Sequence, residues 1–172
     1  RESAPRRRLS RRPDVMQKPV LAANWKMNLG PTDARAFVAA FTARWSPRAE
    51  LTVLFFPPAI DVTTVVHALG SRADVGVGVQ NIWTEDKGAF TGETSAPMAR
   101  DAGARYVLVG HSERRHVFGE TDDETAKKCA AAARNGLTAV LCVGELLEER
   151  ESGDTNTVVL RLLRTGLGLV DA

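Results

Sequence analysis

Cysteine is scarce in this sequence. Two residues among 172, Cys129 and Cys142, are too few for the disulfide framework that staples small secreted domains. Cys129 falls in an Ala-rich helical pattern and Cys142 in an apolar strand pattern, so both read as free thiols of a reducing compartment. No His lies near either in the sequence to activate a thiolate. The three His are scattered, and with two distant Cys they make no metal-ligand cluster. No apolar run approaches the roughly 18–20 residues of a membrane-spanning helix, and no N-x-S/T acceptor occurs. GxGxxG and Walker motifs are absent, and Gly76-Val-Gly78 lies inside a strand pattern, so a nucleotide-binding loop is unsupported.

Basic surplus is also missing from the body of the chain. The formal net charge is +2, yet residues 1–15 hold six Arg against Glu2 and Asp14, which leaves 17 basic and 19 acidic residues elsewhere. A nucleic-acid-binding body keeps its surplus inside the fold, so no nucleic-acid partner is expected. The Arg-rich start, residues 1–17, has no apolar signal-peptide core. It reads as upstream sequence before a start at Met16, or as a disordered tail or targeting segment. The first residue is Arg rather than Met, which suggests that the sequence begins inside a longer one. With 44% hydrophobic and 26% charged residues, the rest reads as a soluble globular domain over 18–172.

What is present is a repeating pattern. Near-continuous apolar, β-branched runs at Val20–Asn24, Leu51–Phe55, Asp74–Gln80, Arg105–Gly110 and Thr138–Val143 predict strands covered on both faces, as in a parallel sheet. Their starts are 31, 23, 31 and 33 residues apart, the scale of a βαβ unit. Between them, Phe37, Val38, Phe41 and Trp45 form one helical stripe, and Val62, Val65, Val66 and Leu69 form another. Ser95 is placed to cap a short helix ending at Gly103. Thr121 and Glu124 have capping-box spacing, in a helix stopping at Asn135-Gly136. A last helix is expected over Thr157–Leu163, followed by Gly166 and Gly168. Five βα units fit either a complete doubly wound open sheet or part of an eight-stranded barrel of about 250 residues.

In either architecture function gathers at the carboxyl ends of the strands. The first strand runs into Asn24 and Lys26, where an ammonium faces an anion or snorkels to water. The fourth ends at His111, before a helical turn. This His is bonded to backbone as a structural group, or is an electrophile kept neutral by the positive end of the helix. His67, in a helical pattern, and His116, in a loop, look ordinary. Glu145 ends the fifth strand and is the bottom-up nominee for a general base, or else opens a helix and complements its dipole.

Taken together, Ala23-Asn-Trp-Lys-Met-Asn28, Val79-Gln-Asn81, Gly88-Ala-Phe-Thr-Gly-Glu93, Val109-Gly-His-Ser-Glu-Arg-Arg115 and Cys142-Val-Gly-Glu145 resemble the triosephosphate isomerase family in order and spacing, from about Lys18 onward. The resemblance implies an α/β fold, the (β/α)₈ TIM barrel, represented by about five of its eight βα units. It implies interconversion of dihydroxyacetone phosphate and D-glyceraldehyde 3-phosphate through an enediolate in glycolysis and gluconeogenesis, in the cytoplasm, with no cofactor and no metal. Asn24 and Lys26 match the substrate-contacting pair, with Lys26 also catalytic, and His111 matches the electrophile. A neutral His in that role is an established property of this family rather than a deduction from these residues. Glu113 matches a residue that supports Lys26, and Thr91, in Gly88–Glu93, matches the tip of a loop that docks into a partner in a homodimer.

The family's catalytic carboxylate follows a sixth strand, in a YEPVWAIGTG-like segment that does not occur here, and the phosphate-gripping glycines come later still. Glu145 aligns with a structural position, which sets aside its nomination as base. Thr94 stands where the family usually has an aliphatic residue. A truncated chain is therefore expected, inactive by itself and poorly soluble at its open edges. The alternatives are a self-contained five-stranded module binding a phosphorylated ligand, and a non-catalytic relic that still dimerises.

Overall fold

The computed structural model describes residues 19–170. The expected Arg-rich extension at 1–17, and residues 18, 171 and 172, lie outside the described residues. Strands and helices alternate: β1 (Val20–Asn24), α1 (Pro31–Arg44), β2 (Thr52–Phe56), α2 (Val62–Leu69), β3 (Val75–Val79), α3 (Ala96–Asp101), β4 (Tyr106–Val109), α4 (Ser112–His116), α5 (Asp122–Arg134), β5 (Thr138–Leu141), α6 (Leu147–Glu151) and α7 (Thr155–Leu167). Local chemistry sets several boundaries. Pro31 opens α1, where its missing N–H costs nothing. The Ser95 hydroxyl accepts the Met98 N–H. Thr121 and Glu124 form the reciprocal capping box.

The five strands are all parallel and lie in the order β1-β2-β3-β4-β5. That order decides between the two architectures. A doubly wound sheet of the flavodoxin type reverses direction, putting strand one between two others in the order 2-1-3-4-5. A barrel adds each strand beside its predecessor. The molecule is part of a (β/α)₈ barrel, five βα units of eight, with β1 and β5 each paired on one side only among the described residues.

Register fixes two faces. Val53, Phe55, Val75, Val77, Val79, Val107 and Val109 turn outward and pack with the helices in the main core. Leu54, Phe56, Tyr106 and Leu108 turn inward and form a second cluster. On β3 the inward positions are Gly76 and Gly78, and the neighbouring rings fill the space. A Cβ on Gly76 would stand 2.5 Å from Cε2 of Tyr106, and one on Gly78 would stand 2.4 Å from Cε1 of Phe56. The interior beside β3 is thereby filled, while Val20 and Ala22, in register with Thr52 and Leu54, stay exposed on β1.

Expected and observed strands differ by one or two residues at their ends. β4 stops at Val109 because Gly110 turns away at φ +69°. Asp74 precedes β3 because its carboxylate is held by Arg72 and by the Trp45 indole. Two expectations need correction. α7 is longer than Thr157–Leu163 and runs through Gly166, which is a contact point, not a terminator: a Cβ there would lie 2.6 Å from Cδ2 of Leu141. His116 belongs to α4 rather than to a loop. No helix of the described residues is long and apolar enough to cross a membrane.

Candidate functional site

The loop after β1 carries the first feature. Lys26 has φ +54°, a left-handed conformation that costs a non-glycine residue about 1–3 kcal/mol and persists only when its surroundings enforce it. They do. Its N–H donates to Oδ1 of Asn24 (2.9 Å), and its C=O accepts from Nε2 of Gln80 (2.9 Å). The same Gln80 amide donates to the Phe56 carbonyl at the end of β2 (2.8 Å). One side chain from the end of β3 thus ties together the carboxyl ends of three strands. The Asn24 amide N–H groups stay uncommitted among the described residues.

The Lys26 side chain reaches across the sheet mouth to the loop after β4, where its Nζ lies 2.8 Å from Oε1 of Glu113. That ammonium holds the Glu113 carboxyl below its ordinary value, through the hydrogen bond more than the bare charge. The Glu113 N–H in turn donates to Nδ1 of His111 (3.2 Å). With Nδ1 accepting this bond, Nε2 is the ring nitrogen left to face the sheet mouth. Oε2 of Glu113 lies 3.6 Å from the same Nδ1. That approach is an ion pair only when the ring is protonated. Asn24, Lys26, Glu113 and His111 are therefore linked through successive contacts at one end of the sheet.

His111 borders a cavity of about 300 Å³ shared with Ser112, Arg115, Cys142 and Glu145. Glu145, the bottom-up nominee for a base, is committed: Oε1 accepts from Nε of Arg150 (2.7 Å) and from the Thr155 hydroxyl (3.3 Å). The Arg150 bond lowers its carboxyl. A carboxylate so paired joins β5 to α6 and α7 and is poorly placed to collect protons. Burial pushes the Cys129 thiol up to about 11 and raises Cys142 as well, which suits inert thiols. A wider cleft, about 640 Å³, runs along Thr84–Lys87 and α5; of its three cations, Lys127 and Arg134 are taken by Asp123 and Asp86. Among the described residues no three His, Cys, Asp or Glu gather as a metal site.

Thr91 lies exposed at the tip of the β3–α3 connection. The base of that loop is closed by Trp83 N–H to Thr94 O (2.8 Å), and the Phe90 ring packs on Trp83 at 5.3 Å. The unusual Thr94 takes part in this closure through its backbone.

Three residues of the arrangement were not singled out from the sequence: Gln80, and the buried pair Glu120 and Lys128. Gln80 sat inside a motif without an assigned role. Glu120 directly precedes the N-cap Thr121, outside the helix, where no motif singles it out. Lys128 was hidden in a helical run.

Comparison with known proteins agrees with the geometry. The family model described as triosephosphate isomerase matches residues 19–172. The chain is 48% identical over 153 residues to the triosephosphate isomerase of Moorella thermoacetica, covering 88% of this chain and 60% of that protein. It is 44% identical over 153 residues to that of Symbiobacterium thermophilum (88% and 59%). It is 43% identical over 152 residues to that of Endomicrobium trichonymphae (88% and 60%). The chain thus spans about 60% of the length of these curated relatives.

Proposed function

The chain belongs to the triosephosphate isomerase family, and from that premise we propose that it carries the electrophilic half of an isomerase active site for dihydroxyacetone phosphate and D-glyceraldehyde 3-phosphate. The observation that supports this most is the Lys26–Glu113–His111 chain of contacts at the carboxyl end of the strands.

The chemistry follows from charge. Removing a proton beside a carbonyl places negative charge on oxygen, and fixed donors aimed at that oxygen lower the barrier. Lys26 supplies an ammonium for the phosphate and the developing enediolate, and Asn24 supplies amide donors. His111, neutral with Nε2–H outward, polarises the carbonyl and moves a proton between the two oxygens, as is established for this family. Glu113 holds Lys26 in place. The carboxylate that takes the carbon-bound proton belongs to the family's sixth-strand segment, which is not among these 172 residues. No turnover is therefore expected from the chain alone. The reaction uses no cofactor or metal, belongs to glycolysis and gluconeogenesis, and takes place in the cytoplasm.

The exposed 88–92 tip, bearing Thr91 and the half-exposed Phe90, suits docking into a second subunit. A homodimer is the expected assembly of the full-length enzyme.

The test is to follow the reading frame past Ala172, express the encoded protein and measure interconversion of the two triose phosphates. Continuation into a sixth strand with a catalytic Glu, and activity abolished by His111→Gln, is the expected result. A stop codon directly after Ala172, with phosphate binding by the chain itself, would favour the five-stranded binding module.

A further inference from the structure

Gly110, the residue before His111, is held in an unusual way. It stands at φ +69°, between the end of β4 and the start of α4. Its N–H donates to Oε1 of Glu120 (3.2 Å), and its C=O accepts from Nε of Arg115 (2.8 Å). Both backbone groups are thus gripped by side chains of opposite charge. Arg115 also binds Asp122 of α5 (2.5 Å), which is joined to Arg161 of α7. Glu120 is 3% exposed and accepts from Nζ of Lys128 (2.6 Å), which is 2% exposed, and from Nε of Arg114 (3.0 Å). Burial alone would raise the Glu120 carboxyl, but Lys128 and Arg114 outweigh it and hold it below its ordinary value.

The Lys128 ammonium has a second bond, to Oδ1 of Asn81 (2.8 Å). Asn81 follows Gln80, whose side chain fixes the Lys26 carbonyl. One buried ion pair on α5 and its leading turn therefore connects to both halves of the site. A charge pair this deep is a poor device for stability, since apolar residues of similar size often stabilise as well or better. Its bonds go to the loop that bears His111 and to Asn81, the neighbour in sequence of the Gln80 that holds Lys26.

We propose that the Glu120–Lys128 pair is the positioning element of the site, its carboxylate aiming His111 through the Gly110 peptide and its ammonium aiming Lys26 through Asn81 and Gln80. This rests on the reading of His111 and Lys26 as the substrate-facing groups.

The experiment compares two double variants of the protein encoded by the complete reading frame. Glu120→Gln with Lys128→Met keeps an acceptor oxygen for Gly110 but no charge. Glu120→Leu with Lys128→Met removes the acceptor and both buried charges, leaving only Arg114, which is 30% exposed, without its carboxylate. Each is read by Gly110 amide hydrogen exchange and by imidazole ¹⁵N spectra, with the His111 signals assigned by His111→Gln. The Gln/Met pair should keep the Nε2–H tautomer and slow exchange. The Leu/Met pair should fold, exchange at Gly110 at least ~10-fold faster, and show a mixture of His111 tautomers. An unchanged tautomer and unchanged exchange in the Leu/Met pair would overturn the proposal. So would failure of that pair alone to fold, because the Gly110 contact would then serve the fold and not the aim of His111. None of these readouts needs turnover, so absence of isomerase activity in the read-through protein leaves the result standing or falling by itself.

Discussion

The ammonium of Lys26 and the carboxylate of Glu113 meet at 2.8 Å although one follows β1 and the other opens α4, with β2 and β3 between their strands. Three strand spacings in a flat sheet amount to about 14 Å. The pair closes that span because the loops after β1 and β4 lean over the sheet mouth. Glu113 then hands its backbone N–H to His111. A cation and an imidazole, remote in sequence, become neighbours through one glutamate.

The buried pair should be costly to break from one side. Lys128→Ala leaves Glu120 charged at 3% exposure with Arg114 as its remaining cation. The expected loss is about 3–5 kcal/mol in denaturant unfolding. A loss under about 1 kcal/mol would mean that water reaches Glu120.

Asp61 should respond to pH in the opposite sense from the paired carboxylates. It is fully buried at the start of α2, and among the described residues neither carboxylate oxygen has a hydrogen-bond partner. Burial raises its carboxyl above the ordinary value of 3.8. The folded chain therefore binds this proton more tightly than the unfolded chain. Its contribution is full below the unfolded value and is lost as pH rises through the raised folded value. Asp61→Asn should accordingly melt higher than the parent at about pH 7, by about 1–3 kcal/mol of stability. The gap should narrow toward about pH 4. A variant less stable at pH 7 would show that the carboxylate has a partner.

The interior glycines of β3 should tolerate no side chain. Gly78→Val places a Cβ 2.4 Å from Phe56, and the Tyr106 carbonyl is at 2.9 Å. Overpacking of this kind costs about 1–3 kcal/mol or more. Gly30→Ala, where nothing lies within 4 Å, is the control; equal melting of the two variants would contradict the packing described.

Catalysis by the read-through protein should depend on His111 and Lys26 separately. Loss of a positioned proton donor costs about 10²–10⁴-fold, so His111→Gln should lower kcat by at least ~100-fold while the fold persists. Lys26→Ala should fail through both KM and kcat, since it removes charge facing the bound phosphate and also charge facing the enediolate that develops only in the transition state. A variant retaining more than about a tenth of the parent rate would remove that residue from the mechanism.

Thiol chemistry should be slow. Cys129 is 1% exposed with its thiol near 11, so it should resist alkylation at about pH 8 until the chain is unfolded. Rapid native-state labelling of Cys129, read by mass spectrometry, would indicate local opening of α5.

Much of the fold is legible along the chain because its signals are local. Val20–Asn24 is a strand with the bounds its apolar run suggests, and the Thr121–Glu124 spacing produces the capping box in full. The α7 boundary was not legible, because glycine is both a helix terminator and the residue of close contact, and only Leu141 beside Gly166 distinguishes the two. Gln80 and the Glu120–Lys128 pair were equally silent. An isolated polar residue in a sequence gives no sign of which backbone groups it will reach across 24 to 54 positions, as Gln80 does to Phe56 and Lys26.

Residue order by itself determined the alternation of five strands with helices, the near-neutral body and the chemical types gathered at the strand ends. Those properties depend on periodicity, propensity and charge, which act over a few neighbouring residues. Tertiary structure decided that each strand lies beside its predecessor, that Lys26 meets Glu113, that Glu145 is spent on Arg150, and that one buried ion pair reaches both halves of the site. Those facts depend on which surfaces pack together in space, and no local rule carries that information along the chain.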